Sequence, residues 1–365
     1  MTRLNLVTGG GGFIGRHLVR LLVERGEAVR VLDIAGAEGL PEPVEVIRGS
    51  ILDAPVLDRA FAGVERVYHL AANPNLWNRD SRTFGRTNYE GTRQVLAAAA
   101  RAGVTRVVYT STESILKSCR ASTRASRGAA PADETVSLDL ADMPGPYCRS
   151  KFLAEQEAVA AARDGLPVVV VNPTMPVGPG DVHLTPPSRM LLGFLNGSTP
   201  AYLNCAFNLI DVRDAACGHV LAADRGRTGE RYILGGENIR LDALLALLTE
   251  ITGLAMPRHA VPYGVAVTVA AVEGLIAAVT GRPPTAPLTG VRLARTPSVF
   301  DCSKAVEQLG LPHRPLRASL IDAVSDFSAR GLLRRSLLRH VAPDPAIRAT
   351  VPRVDVPNTA RRKVG

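Results

Sequence analysis

Aromatic residues make up only 4% of this chain, and it has a single tryptophan. They do not interleave with the basic residues. A single-stranded nucleic acid needs rings to stack on, so a nucleic-acid partner is not expected. The five cysteines, at 119, 148, 205, 217 and 302, form no Cys-x-x-Cys pair. Neither a disulfide framework nor a zinc site follows from them, and no metal is expected. Long apolar runs are equally scarce. Residues 261–280 approach the length of a membrane span, but Pro262 falls in their first turn, Glu273 within them and Pro283 just beyond. They read as a buried helix of a small C-terminal lobe. Residues 1–7 run straight into a strand with no charged leader or cleavage site, so the expected location is the cytoplasm.

The net charge of +9 in 365 residues is unevenly placed. Residues 332–365 hold eight Lys/Arg and two Asp, and residues 117–130 hold four Lys/Arg and no acid. The rest of the chain is close to neutral, so the folded body is not a basic surface. The tail, with little periodicity and four prolines from Pro343 onward, reads as disordered and solvated. An anionic membrane surface is the alternative partner for it, which would place the protein peripherally at the inner face of the membrane.

Short β-branched runs alternate with helical segments through the first half. Strands are expected at 4–8, 28–32, 44–48, 66–70, 106–110 and 168–171, with helices at 14–25, 92–102 and 151–162. This alternation implies an α/β fold, a doubly wound parallel sheet (Rossmann fold) with helices on both faces. The expected division is a dinucleotide-binding domain over 1–173, completed by about 205–235. A smaller substrate-binding lobe follows over 174–331, and the tail covers 332–365. After Pro173 the prolines at 176, 179, 186 and 187 mark irregular connections.

The run Val7-Thr8-Gly9-Gly10-Gly11-Gly12-Phe13-Ile14-Gly15 leaves a strand and opens a helix. Glycine there lets backbone N–H groups approach a pyrophosphate, which then sits on the helix N-terminus. Asp33 ends the second strand about 20 residues on, where a carboxylate accepts hydrogen bonds from the adenine ribose. Asp53 follows the third strand, and His69-Leu70-Ala71-Ala72 ends the fourth with small residues that let a cofactor lie close. A carboxylate repels a 2′-phosphate, so NAD is favoured. Arg16 and Arg30 leave NADP open.

Tyr147 and Lys151 stand four residues apart at the start of a helix, on one face. A tyrosine with a pKa of about 10 is a poor proton donor or acceptor at neutral pH, and a nearby ammonium lowers that value. Thr112, in Thr110-Ser111-Thr112-Glu113, supplies a hydroxyl at the end of a preceding strand.

With these motifs the chain resembles the extended short-chain dehydrogenase/reductase family, also called NAD-dependent epimerase/dehydratase, over roughly residues 3–330. The resemblance implies that Gly9, Gly12, Phe13, Ile14, Gly15, Asp33, Asp53, Leu70, Ala71, Ala72, Tyr147, Lys151 and Pro173 hold the cofactor. It implies Tyr147 as general acid/base, Lys151 as its tuning partner, Thr112 on the substrate oxygen and Asn88 as a supporting residue. Within the family the chain is most similar to hopanoid-associated sugar epimerases, dihydroflavonol reductases and 3β-hydroxysteroid dehydrogenases. It departs from the first group in having an acid at Asp33 and a threonine at 112. Sugar-nucleotide members commonly place an arginine where this chain has Phe207, although Arg292 falls near a second anchor. Dehydratases carry an Asp-Glu pair where this chain has Glu113 and then Ser114.

Trp77, Met175 and Phe207, with Glu113 and Arg292, are the expected substrate residues. The expected activity is oxidoreduction between a ketone and a secondary alcohol on a hydrophobic, lipid-like small molecule: a 3-keto sphingolipid or ceramide, a sterol- or hopanoid-like compound, or a flavonoid-like one. The alternative is a sugar or nucleotide-sugar epimerase with tightly bound NAD. A homodimer is compatible with either.

Overall fold

A computed structural model describes residues 3–36, 38–118, 130–296 and 298–338. Residues 119–129, most of the basic insertion before Tyr147, lie outside the described residues, as do residues 339–365 of the tail.

The first half alternates as its pattern requires. In chain order come β1 (Leu4–Thr8), α1 (Phe13–Glu24), β2 (Ala28–Asp33), β3 (Glu45–Arg48), α2 (Ala54–Phe61) and β4 (Arg66–His69). A short helix, α3 (Arg82–Phe84), passes through a π-helical turn (Gly85–Glu90) into α4 (Gly91–Ala102). Then come β5 (Arg106–Thr110), α5 (Gly145–Arg163) and β6 (Val168–Pro173). The second half adds β7 (Met175–Val177), α6 (Pro186–Leu195), β8 (Tyr202–Leu203), β9 (Ala206–Asp211), α7 (Val212–Arg225), β10 (Arg231–Leu234), β11 (Glu237–Arg240) and α8 (Leu241–Thr252). It closes with β12 (Ala260–Val261), α9 (Tyr263–Thr280), α10 (Leu288–Leu293) and α11 (Leu316–Ala329).

Seven strands form one parallel sheet in the order β10-β6-β5-β4-β1-β2-β3. The strand order reverses between β1 and β4, so the crevice at their carboxyl ends is where a dinucleotide binds in such folds. β6 is buried along its whole length, which explains its unbroken apolar run. Apolar side chains fill both faces. Leu18, Leu22, Val31, Val171 and Val220 pack on one side with α1 and α7, and Leu6, Leu57, Val95, Val107 and Ala154 on the other with α2, α4 and α5. Each such leucine or valine contributes about 1.5–3 kcal/mol by leaving water. α2 starts where Asp53 Oδ1 accepts the Val56 N–H at 3.3 Å. α4 stops at Gly103, whose φ of 62° suits a residue without Cβ.

The C-terminal lobe gathers α6, α8 and α11 around Leu191, Leu195, Leu244, Leu248, Leu320 and Phe327. Three expectations change here. α5 begins at Gly145 and not near Lys151, because Pro146, which has no N–H to satisfy, is tolerated in a first helical turn. Residues 332–338 do not belong to a free tail. Leu332, Leu333 and Leu337 pack on the lobe, and the Leu338 N–H donates to Thr252 O at 3.0 Å. The third change concerns residues 261–280. They do form a helix, α9, but it is not buried; only Ala270 and Ala277 are covered. Its apolar composition suggested a core, yet the lobe closes without it.

Candidate active site

The glycine turn is built so closely that only glycine fits at its key positions. A Cβ on Gly9, where φ is 74°, would lie 2.7 Å from Ala71 N, and one on Gly15 would lie 2.2 Å from Gly9 O. Gly12 caps α1 without any side-chain hydrogen bond, and the first turn of α1 holds no acid. The N–H groups of Phe13, Ile14 and Gly15 therefore have neither an intrahelical acceptor nor a competing carboxylate, an arrangement that receives an anion. Asp33 stands beside them. Its Oδ2 accepts the Gly11 N–H at 3.0 Å and its Oδ1 the Ala35 N–H at 3.0 Å. Leu70, Ala71 and Ala72 follow β4, with Ala71 against Gly9 and its N–H 3.3 Å from Thr8 Oγ1. These residues fit a dinucleotide. Asp53 also follows β3 as expected, with one oxygen engaged in capping α2.

Of the two cations that left NADP open, Arg30 is drawn away. It pairs with Glu45 at 2.8 Å and donates to the carbonyls of Ala60 and Ala62 at 3.0 and 2.6 Å. Arg16 stays by the turn, its guanidinium 3.0 Å from Gly11 O. The sequence reading missed Arg48. It stands opposite Asp33 in the register of β2 and β3, and its side chain donates to Ile34 O at 3.3 Å.

Tyr147 lies in the first turn of α5 with the edge of Phe84 toward its ring, centroids 6.3 Å apart. Its apolar surroundings push the phenol pKa upward, against which Thr112 acts as a hydrogen-bond partner. Lys151, one helical turn on, is almost wholly buried. Its ammonium donates to Thr110 O at 2.6 Å and lies 4.7 Å from the centroid of the Tyr109 ring. Burial lowers its pKa to about 7, with Glu155 pulling the other way. Thr112, Tyr147 and Lys151 thus meet at the carboxyl end of β5, as their motif required. Pro173 ends β6 next to them.

Asn88 sits in the π-helical turn and is buried. Its Oδ1 accepts the Asn73 N–H at 2.7 Å, and its Nδ2 donates to Asn73 O at 3.2 Å and to Ser150 Oγ at 3.0 Å. It therefore ties the loop after β4 to the helix bearing Tyr147 and Lys151. A second brace joins residues far apart in the chain. Asn172 Nδ2 donates to Thr112 O at 3.1 Å and to Glu155 Oε2 at 2.8 Å, and Arg231 of β10 pairs with Glu155 at 2.7 Å. His69 bridges Thr8 at 2.7 Å and Thr92 at 3.0 Å, and burial lowers its pKa to about 3, so it serves as a neutral strut.

The expected substrate residues do not all converge. Glu113 is buried within 3.6 Å of Lys117 Nζ, which donates to Ser298 Oγ at 2.5 Å. Lys117, the first residue of the basic segment 117–130, is thus a buried ion-pair partner. Met175 and Phe207 lie partly buried on the apolar core of the lobe. Trp77 is half-buried in the loop after β4. Arg292 lines a cleft of about 240 Å³ with Arg149, Arg295 and Tyr263, at the N-terminal end of α5.

Fold and site together are those of a nicotinamide-dependent oxidoreductase of the short-chain dehydrogenase/reductase type. Residues 5–235 match the model of the NAD dependent epimerase/dehydratase family, and the chain belongs to that family. It is 41% identical over 337 residues to a protein of Synechocystis sp. (strain ATCC 27184 / PCC 6803 / Kazusa) that carries the name of a dihydroflavonol 4-reductase, covering 90% of this chain and 95% of that one. It is 35% identical over 338 residues to sterol demethylase protein B of Methylococcus capsulatus (strain ATCC 33009 / NCIMB 11132 / Bath), covering 90% of this chain and 99% of that one. The crystal structure of gox2253 superposes with a TM-score of 0.78 at 35% identity, covering 91% of this chain and all of that one.

Proposed function

We propose that this enzyme interconverts a ketone and a secondary alcohol on a hydrophobic, lipid-like substrate. The observation that carries this reading is the apolar setting of Tyr147. Tyr147 packs against the apolar cluster that holds Ile115, Leu116, Met143, Ile233 and Phe300, and its ring meets Phe84 in an edge-to-face contact. An apolar setting around the proton donor favours a greasy ring or chain beside the reacting carbon. The names of two relatives agree: sterol demethylase protein B, and the sterol-4-alpha-carboxylate 3-dehydrogenase of Bos taurus, 30% identical over 337 residues.

In this mechanism Phe13, Ile14, Gly15 and Asp33 would hold the dinucleotide, whose nicotinamide would supply or accept the hydride. Thr112 and Tyr147 grip the substrate oxygen. Tyr147 gives that oxygen a proton in the reductive direction and takes it back in the oxidative one. Lys151, one helical turn from Tyr147, would favour the phenolate when it carries its proton. Asn88 and Asn172 hold the two elements that carry these groups. Asp33 favours NAD over NADP.

The test is turnover of purified enzyme with NADH and a panel of hydrophobic ketones, including sterol-like and long-chain 3-keto compounds. Stoichiometric loss of NADH with ketone is expected. Interconversion of a nucleotide sugar with no net NADH change would overturn the reading in favour of an epimerase.

A further inference from the structure

We propose that α9 is an in-plane membrane anchor that seats the mouth of the active site on an anionic bilayer. Val265, Val269, Val272, Leu275, Ile276 and Val279 are between 49% and 83% exposed. Gly264, Thr268, Ala271, Ala278 and Thr280 complete the same open arc, so more than half the circumference is uncharged over five turns. The one acid of the helix, Glu273, is turned aside, where its Oε2 accepts the Ala286 N–H at 3.1 Å.

The breadth of this surface decides between occupants. A helix that pairs with a second copy in water presents a narrow apolar seam flanked by charged positions. α9 offers no such flank. A bilayer interface accepts a wide apolar face, provided cations stand where headgroups would lie. They do. At the C-terminal end Arg282 follows the helix and Arg79 reaches to Gly281. At the N-terminal end Arg295 lies over the Tyr263 ring, 5.6 Å from its centroid, and shares an exposed cleft with Arg149 and Arg292. Among the described residues no carboxylate forms a salt bridge with any of these five arginines.

α9 has 18 residues, enough to cross most of a bilayer core, yet its connections hold it flat. Just before it, β12 pairs with β8 of the lobe. Just after it, α10 folds back along it, and Thr289 of α10 sits against Gly145 at the start of the catalytic helix. Both ends return to one globular body, so the helix lies on the surface of a membrane and does not span it. Leu76, beside Trp77, touches Gly290 of α10. Docking through α9 therefore brings the Tyr147 end of α5 to the headgroup level, where a lipid substrate could enter without crossing water.

The test is flotation of the full-length enzyme with phosphatidylcholine vesicles, with and without half their lipid replaced by phosphatidylglycerol. It needs no substrate, so it stands apart from the activity assay above. We expect binding to the anionic vesicles to fall at least about 10-fold in Leu275→Glu/Val279→Glu. Arg292→Ala/Arg295→Ala should weaken binding to the anionic vesicles alone. NADH binding and thermal melting report whether the variants fold, and Leu275→Ser/Val279→Ser serves if the charged pair does not. Unchanged flotation of a folded α9 variant overturns the proposal, as does failure of the parent to float at low salt. So does a change from dimer to monomer by sedimentation with no flotation by the parent, which would assign α9 to a second copy.

Discussion

Replacing Lys151 by methionine should destroy activity and yet stabilise the cofactor-free protein at neutral pH. The ammonium is buried, with Thr110 O as its one hydrogen-bond acceptor among the described residues, and its pKa falls from 10.5 to about 7. At pH 7 that fall corresponds to a cost of about 4 kcal/mol, since each tenfold change in a protonation equilibrium is worth about 1.4 kcal/mol. Methionine removes this cost but leaves the Thr110 carbonyl without its charged donor, a loss of about 2 kcal/mol. The net gain is therefore about 2 kcal/mol, or a rise in Tm of a few degrees in a chain of this size. The pH dependence is the sharper signature. Between pH 7 and 10.5 the unfolded chain still holds a proton on Lys151 that the folded protein has released. Raising the pH then favours the folded parent by up to about 1.4 kcal/mol per unit relative to the variant. The advantage of methionine should be full at pH 7 and below, shrink above it and vanish before pH 10. Urea unfolding of both proteins from pH 7 to 10 measures it. A variant less stable than its parent at pH 7, or a difference that stays flat across the window, would refute the reasoning.

Tyr147→Phe should bind NADH normally while turnover falls by about 100-fold or more, because the proton donor is gone; near-normal single-turnover rates would reject its role. Asp33→Ala should narrow the preference for NAD over NADP in binding titrations. If Arg48 attracts a 2′-phosphate, Arg48→Ala should widen that preference, and tighter binding of NADPH than NADH by the parent would contradict the assignment of Asp33. Gly15→Ala places a methyl group on Gly9 O and should weaken NADH binding about 10- to 100-fold, a cost of roughly 1–3 kcal/mol; calorimetric titration reads this directly.

The dinucleotide half of this protein was legible from its residues because its signals are local. A glycine turn between strand and helix, an acid at the end of the next strand and a Tyr/Lys pair one helical turn apart each act within a single element, so spacing alone carries them. Alternation of strand and helix then forces the parallel sheet that brings Thr112 to Tyr147. Long-range contacts carry no such signal. Nothing in the run around Lys117 announces a buried pair with Glu113 closed by Ser298, 181 residues away. Nor does the chain announce that Arg231 braces Glu155 and Asn172 behind Thr112. Helix α9 shows the same limit most plainly. Its composition determined that it is apolar and helical, but whether an apolar helix is buried depends on what else the fold lays over it. Here Leu244, Leu248, Leu320 and Phe327 complete the lobe among themselves, and α9 is left outside.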